Sequence, residues 1–175
     1  MSTRTGIGYD SHRLDAGRKL VLGGVEVPGA ARGLSGHSDA DVLTHATIDA
    51  LLGAAGLGDI GQHFPDTDER WRHADSIALL EEVGRMVRGE GFAPMHVDTT
   101  VIAEAPKLGP HRDAMRGRLA GALGIGASSV SVKFTTNEAM GFVGRGEGMA
   151  AMAVATVEGE PGARAPGLPG LLADG

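Results

Sequence analysis

Apolar positions along this chain recur in two spacings, and the switches between them divide it into elements. Residues 4–10 read as a strand ending at Asp10. Residues 19–28 read as a hairpin turning at Gly23 and Gly24, residues that accept the positive φ of tight turns. Residues 30–36 carry no period and read as loop. A helical period then begins, with Ser38 as a candidate N-cap and Asp41 as a short capping-box partner. Val42, Ala46 and Leu52 give this helix an apolar side to about Ala55, and Gly56 and Gly58 end it. Residues 59–68 are a polar loop. Ile77, Leu80, Val83, Met86 and Val87 predict a second helix over 74–89, and a third spans 109–123. Strands are predicted over 96–103, 130–135 and 148–157. Residues 159–175, rich in Gly, Pro and Ala, read as a disordered tail.

This order predicts one layered α/β (α+β) domain over residues 1–158: a mixed four-stranded sheet, helices on one face and a small N-terminal hairpin. The net charge of −6, without a Lys/Arg run, argues against bulk nucleic-acid or anionic-membrane binding. No apolar run is long enough to span a bilayer and no signal-peptide core precedes residue 4, so a cytoplasmic location is expected. The absence of Cys agrees with that location. Glycine, at 29 of 175 residues, is more than twice its usual share of about 7%, and many glycines flank polar motifs.

Those polar motifs carry the candidate chemistry. Asp10 and His12, two apart in an extended run, point the same way, and His45 follows on a helix. One carboxylate and two imidazoles leave a coordination position open, as catalytic rather than structural zinc sites do. Asp41 and Asp49 flank His45 by one turn on each side, which makes them candidate carboxylates to hydrogen-bond its ring and fix its orientation; Asp41 serves equally well as a cap, and Asp49 as an exposed helix carboxylate. His37 and Ser38 lie where a helix N-terminus favours an anion, although a solvated loop His has the same sequence signature. Thr135, Thr136, Asn137 and Glu138, with Lys133, Phe142, Arg145 and nearby glycines, suit a phosphate and a divalent ion, or form a Gly-rich turn. Asp59, Ile60 and Gly61, then Phe64, Pro65, Asp66, Thr67 and Asp68, suit a hydroxylated ligand or a set of Asx-turns.

Taken together, the motifs closely resemble those of the 2-C-methyl-D-erythritol 2,4-cyclodiphosphate synthase family. The resemblance runs from about residue 4 to 157 through Gly8-Tyr9-Asp10-Ser11-His12, Gly36-His37-Ser38-Asp39-Ala40-Asp41 with His45, and Asp49-Ala50-Leu51-Leu52. It continues through Gly58-Asp59-Ile60-Gly61, the 63–68 segment, Ala105-Pro106-Lys107 and the 141–148 segment; Asn137 stands where Thr is common. The resemblance implies a homotrimeric lyase of the non-mevalonate isoprenoid pathway, with active sites between subunits. Such an enzyme turns 4-diphosphocytidyl-2-C-methyl-D-erythritol 2-phosphate into the 2,4-cyclodiphosphate and CMP. It implies Zn²⁺ on Asp10, His12 and His45, and Mg²⁺ or Mn²⁺ on Glu138 and substrate phosphates. It implies that His37 and Thr136 stabilise the transition state, while Ser38 and the 59–61 and 64–68 segments hold the erythritol part. Ala103, Ala105, Pro106, Lys107, Leu108, Lys133, Thr135 and Asn137 would cradle the cytidine diphosphate, with Phe142 and Arg145 touching substrate. A zinc phosphoesterase using metal-bound water would need the same ligands, and a non-enzymatic nucleotide- or isoprenoid-binding protein could keep the scaffold.

Overall fold

A computed structural model describes residues 1–160. Its elements are β1 (Ser2–Ala16), β2 (Val21–Leu22), β3 (Val25–Glu26), β4 (Arg32–Ser35), α1 (Val42–Ala55) and α2 (Ile60–His63), followed by α3 (Ser76–Gly89), β5 (Phe92–Ile102), α4 (Arg112–Leu123), β6 (Val130–Thr135), α5 (Gly141–Gly144) and β7 (Gly148–Gly159). The sheet order is β4-β1-β7-β5-β6, with β5 and β6 parallel and the other pairings antiparallel. The α/β class and the β2–β3 hairpin agree with the sequence reading, but the sheet has five strands rather than four. The extra strand is β4, in the segment read as loop. It pairs with the continuation of β1 beyond Asp10, from Arg13 opposite Ser35 to Ala16 opposite Arg32. Only that partner makes the segment extended, so periodicity could not reveal it.

Strand β1 has one crowded side and one open side. A side chain at Gly8 would meet the Ala46 carbonyl at 1.9 Å, and one at Gly6 would meet the Ala50 carbonyl at 2.1 Å. Helix α1 therefore lies directly on the strand backbone. Strand alternation carries the same inward direction on to Asp10 and His12. The alternate residues Ile7 and Tyr9 face outward and are exposed, opposite Val154 and Met152 of β7, which are exposed too. One sheet face is thus covered by helices, and the other presents an apolar strip.

Helix α1 is buried on nearly every side because β1 and β7 lie below it and α3 lies beside it. Its N-cap is Asp41, not Ser38. Asp41 is fully buried and accepts from the Thr44 N–H at 3.0 Å and the Thr44 hydroxyl at 2.7 Å. It also accepts from Gly23 N–H at 2.8 Å and Gly24 N–H at 2.7 Å, which ties the hairpin to the helix. Burial raises its carboxyl above the ordinary value, against the pull of these donors. Strand β7 continues through Gly159, which pairs with Ser2 and Phe92, so the first residue assigned to the tail belongs to the sheet. Glu160 follows, its N–H donating to the Gly91 carbonyl at 3.3 Å, and tail residues 161–175 lie outside the described residues.

Gly8→Ala should force α1 off β1 and lower stability by about 1–3 kcal/mol or more. Chemical denaturation reads this directly, and an unchanged midpoint would show that the helix yields without cost.

Candidate functional site

The crowding of β1 against α1 brings together residues 33 and more positions apart in sequence. Asp10 Oδ2 lies 2.9 Å from His12 Nε2 and 3.0 Å from His45 Nδ1, and the two ring nitrogens are 3.2 Å apart. A divalent ion bound tetrahedrally at roughly 2.0–2.1 Å would hold such donors about 3.3 Å apart. The edges of the triangle, 2.9–3.2 Å, fall slightly short of that spacing, so a small outward shift of the donors would admit an ion. Among the described residues, Asp10, His12 and His45 are the group able to hold a metal ion.

The electrostatics agree. Burial by itself would raise the Asp10 carboxyl, but the hydrogen bonds and charges of His12 and His45 outweigh it and hold the group well below the usual carboxylate range. Burial would likewise lower the His45 imidazole, yet the hydrogen bond and charge of Asp10 raise it. Asp10 is therefore ionised and draws positive charge toward the centre of the triangle. His12 is oriented by Nδ1, 3.0 Å from the Ser35 carbonyl. A carbonyl only accepts, so Nδ1 carries the proton and Nε2 keeps its lone pair for a metal. Ser35 is the last residue of β4, so the unforeseen strand also orients a ligand.

The carboxylates expected to support His45 do other work. Asp41 is occupied by Thr44 and the hairpin, and Asp49 accepts from Ile60 N–H at 2.8 Å, anchoring the start of α2. His45 Nε2 instead meets the Ser76 hydroxyl at 2.9 Å and the Ser38 hydroxyl at 3.2 Å. Sequence reading missed Ser76 and its partner Asp39. Asp39 stands inside the 36–41 motif, and Ser76 follows the α3 cap Asp75, so both resembled ordinary capping residues.

The triangle sits in a cleft of about 460 Å³. His37 and Ser38 line it, with Ile60, Gly61, Phe64, Pro65 and Asp66 on one wall. Trp71 and Leu79, which the sequence had not marked, complete that wall, and Trp71 packs edge-on against Phe64 at 5.0 Å between ring centroids. His37 Nε2 donates to the Asp68 carbonyl at 3.1 Å. Asp59, Thr67 and Asp68 do not line the cleft: Asp59 caps α2, and Asp68 caps the turn at 69–71 and pairs with Arg70.

The second cluster forms elsewhere, at the ends of β5 and β6, and none of its residues lines the cleft. Glu104 accepts from the Asn137 N–H at 2.9 Å, and Thr136 donates its hydroxyl to Glu138 at 2.9 Å. Glu138 and Ala139 both have positive φ, an uncommon conformation for side-chain-bearing residues. Thr135, Ala105 and Lys107 are exposed and Pro106, in a cis peptide bond with Ala105, is half-buried, whereas Ala103 and Leu108 turn their side chains into the core. Lys133 is paired with Asp98 at 2.6 Å and Arg145 with Glu147 at 2.7 Å. Phe142 is exposed.

Fold and site together define an α/β domain with a candidate metal-binding cleft on the helix-covered side of its sheet. Residues 3–158 match the model of the YgbB family. A 2-C-methyl-D-erythritol 2,4-cyclodiphosphate synthase from Desulfosudis oleivorans is 60% identical over 154 residues, 88% of this chain and 91% of the relative. The solved structure of a synthase with the same name, in a CDP-bound form, is 39% identical, covers 89% of this chain and 100% of its own, and superposes with a TM-score of 0.81. The bifunctional IspDF of Campylobacter jejuni is 41% identical with a TM-score of 0.87; the match covers 93% of this chain and 44% of that longer one. The chain belongs to the YgbB family of 2-C-methyl-D-erythritol 2,4-cyclodiphosphate synthases.

His12→Ala or His45→Ala should abolish stoichiometric binding of a divalent metal while leaving a folded protein. Elemental analysis after dialysis checks the first part and circular dichroism the second. Full metal retention in either variant would remove these residues from the site.

Proposed function

We propose that this chain converts 4-diphosphocytidyl-2-C-methyl-D-erythritol 2-phosphate into 2-C-methyl-D-erythritol 2,4-cyclodiphosphate and CMP, in the cytoplasm, as a step of the non-mevalonate isoprenoid pathway. The observation that carries the reading is the convergence of Asp10, His12 and His45 on the cleft floor of a chain 60% identical to such a synthase. In the reaction the substrate's own 2-phosphate oxygen attacks the β-phosphorus, the bond from that phosphorus to the bridging oxygen breaks, and CMP leaves with the electron pair. The substrate supplies the nucleophile, so the protein needs only to position it and neutralise charge. In this reading no Ser, Cys or Lys has to act as nucleophile, Ser38 beside His45 included. The named relatives lend no support to hydrolysis by metal-bound water.

Zn²⁺ held by Asp10, His12 and His45 would supply Lewis-acid polarisation of a phosphate oxygen, and Mg²⁺ or Mn²⁺ at Glu138 would neutralise charge shared between phosphates. Two imidazoles with a carboxylate suit zinc, whereas at Glu138 a single exposed carboxylate would have to share the second ion with substrate phosphates. His37, steadied by the Asp68 carbonyl, would offer Nδ1–H to a phosphate in its protonated form. Thr136 would stabilise the same transition state beside Glu138. Ser38, Ile60, Gly61 and the 64–66 stretch would hold the erythritol part in the cleft, with Asp59, Thr67 and Asp68 shaping that wall. Residues 103–108, Lys133, Thr135 and Asn137 would cradle the cytidine diphosphate, with Phe142 and Arg145 at its edge.

A homotrimer with active sites between subunits would unite the two clusters. Two observations favour it: the cytidine cluster does not line the cleft of its own chain, and the strip of Ile7, Tyr9, Met152 and Val154 is exposed. Among the described residues no helix is long and apolar enough to cross a membrane.

Incubation with the diphosphocytidyl substrate and both metals should give a cyclic diphosphate and CMP by ³¹P NMR. Solvent ¹⁸O in the phosphate product would mean hydrolysis instead. Glu138→Gln should raise the Mg²⁺ or Mn²⁺ concentration needed for turnover without changing zinc content. Zinc loss in that variant would show that the two proposed metal sites are one.

A further inference from the structure

Behind His45, on the side away from Asp10, lies a hydrogen-bonded chain whose direction can be worked out atom by atom. His45 Nε2 is 2.9 Å from Ser76 Oγ. Ser76 is fully buried at the start of α3, and its hydroxyl makes a short hydrogen bond to Asp39 Oδ1. The second Asp39 oxygen accepts the Ser76 backbone N–H at 3.0 Å. An ionised carboxylate only accepts, so the Ser76 hydroxyl proton must lie toward Asp39. Ser76 Oγ is then left with lone pairs toward His45. At 2.9 Å a lone pair on Nε2 would face another lone pair, so Nε2 must carry a proton and donate it. His45 Nδ1 keeps its lone pair, and Nδ1 is the atom that faces Asp10 and His12.

We propose that Asp39 and Ser76 act as a paired set of positioning residues that fix the His45 proton on Nε2 and so present Nδ1 to the metal ion. The inference rests on the metal reading above and adds what selects the ligating nitrogen. Neither residue contacts the metal-facing atoms of the triangle: Ser76 meets His45 only at Nε2, and Asp39 acts through Ser76. Ser38 cannot replace the pair. It is the more distant partner of Nε2, at 3.2 Å, and its hydroxyl already accepts the Ala40 N–H, with no acidic group fixing its direction. Asp39 is the asymmetric element, because its charge decides which way the Ser76 hydroxyl turns. An amide at this position has one acceptor where two are used. With its oxygen toward the Ser76 N–H, its NH₂ would donate to Ser76 Oγ, turn that hydroxyl toward His45 and place the imidazole proton on Nδ1, against the metal.

Zinc affinity is measured by chelator competition on the full-length protein, the Ser76→Ala variant and the Asp39→Asn variant. Both variants should bind zinc about 10–100-fold more weakly, the usual loss when an outer partner of a metal-bound imidazole is removed. Circular dichroism on the metal-free forms separates this from a merely structural role, which would lower stability without selectively lowering metal affinity. In the zinc-loaded parent protein, ¹⁵N NMR of the histidine rings should show His45 protonated on Nε2. A His45 proton on Nδ1 would overturn the inference even if neither variant folds. Parent-like zinc affinity in both folded variants would overturn it alone, whereas failure of the parent to bind zinc would overturn the metal reading and this inference with it.

Discussion

Everything at the candidate site depends on how closely α1 approaches β1. With hydrogen atoms in place of side chains at Gly6 and Gly8, the Ala50 and Ala46 carbonyls come within about a bond length or so of where Cβ atoms would sit, at 2.1 and 1.9 Å. His45 is the neighbour of Ala46, and Asp10 is the next inward position after Gly8. The same contact that closes the core therefore sets the distance between the helix ligand and the strand ligands. A pair of glycines acts here at one remove, as the spacer that lets one carboxylate and two imidazoles share a point.

Around that contact, polar groups hold the ligands in orientation. The Ser35 carbonyl fixes His12 from β4, and Ser76 meets His45 from the start of α3. Asp41 binds the β2–β3 hairpin to the first turn of α1, which settles where that helix begins. Both imidazoles are thus held from behind by an element other than their own. Buried polar groups are costly when unpaired, so such a network rigidifies the site only when its members are satisfied. Asp41, Ser76 and His45 all are.

The fold divides the candidate chemistry between two places. The proposed substrate wall and the candidate metal triangle share the cleft, while Thr135, Thr136, Asn137 and Glu138 lie where β6 ends. The exposed apolar strip lies on the opposite sheet face from α1, formed by the alternate residues of the strand that carries the ligands. One strand, read with a period of two, accordingly serves both purposes: Gly6, Gly8, Asp10 and His12 inward, Ile7 and Tyr9 outward.

Local periodicity, glycine punctuation and residue chemistry make the α/β class, the hairpin, the main helices and the candidate ligand trio readable from the sequence. Asp10 and His12 were legible from their spacing on a strand, and His45 from the motifs around it. Tertiary structure alone decided the rest. Residues 32–35 become a strand only because the far end of β1 offers them hydrogen bonds. Asp41 and Asp49 stand one turn from His45 in sequence yet turn to backbone N–H groups of the hairpin and α2, while Ser76, 31 residues away, takes the place beside the ring. A helical stripe fixes which neighbours can reach a side chain. Which of them does so is set by the unsatisfied donors and acceptors that other elements bring against it, and those have no trace in local spacing.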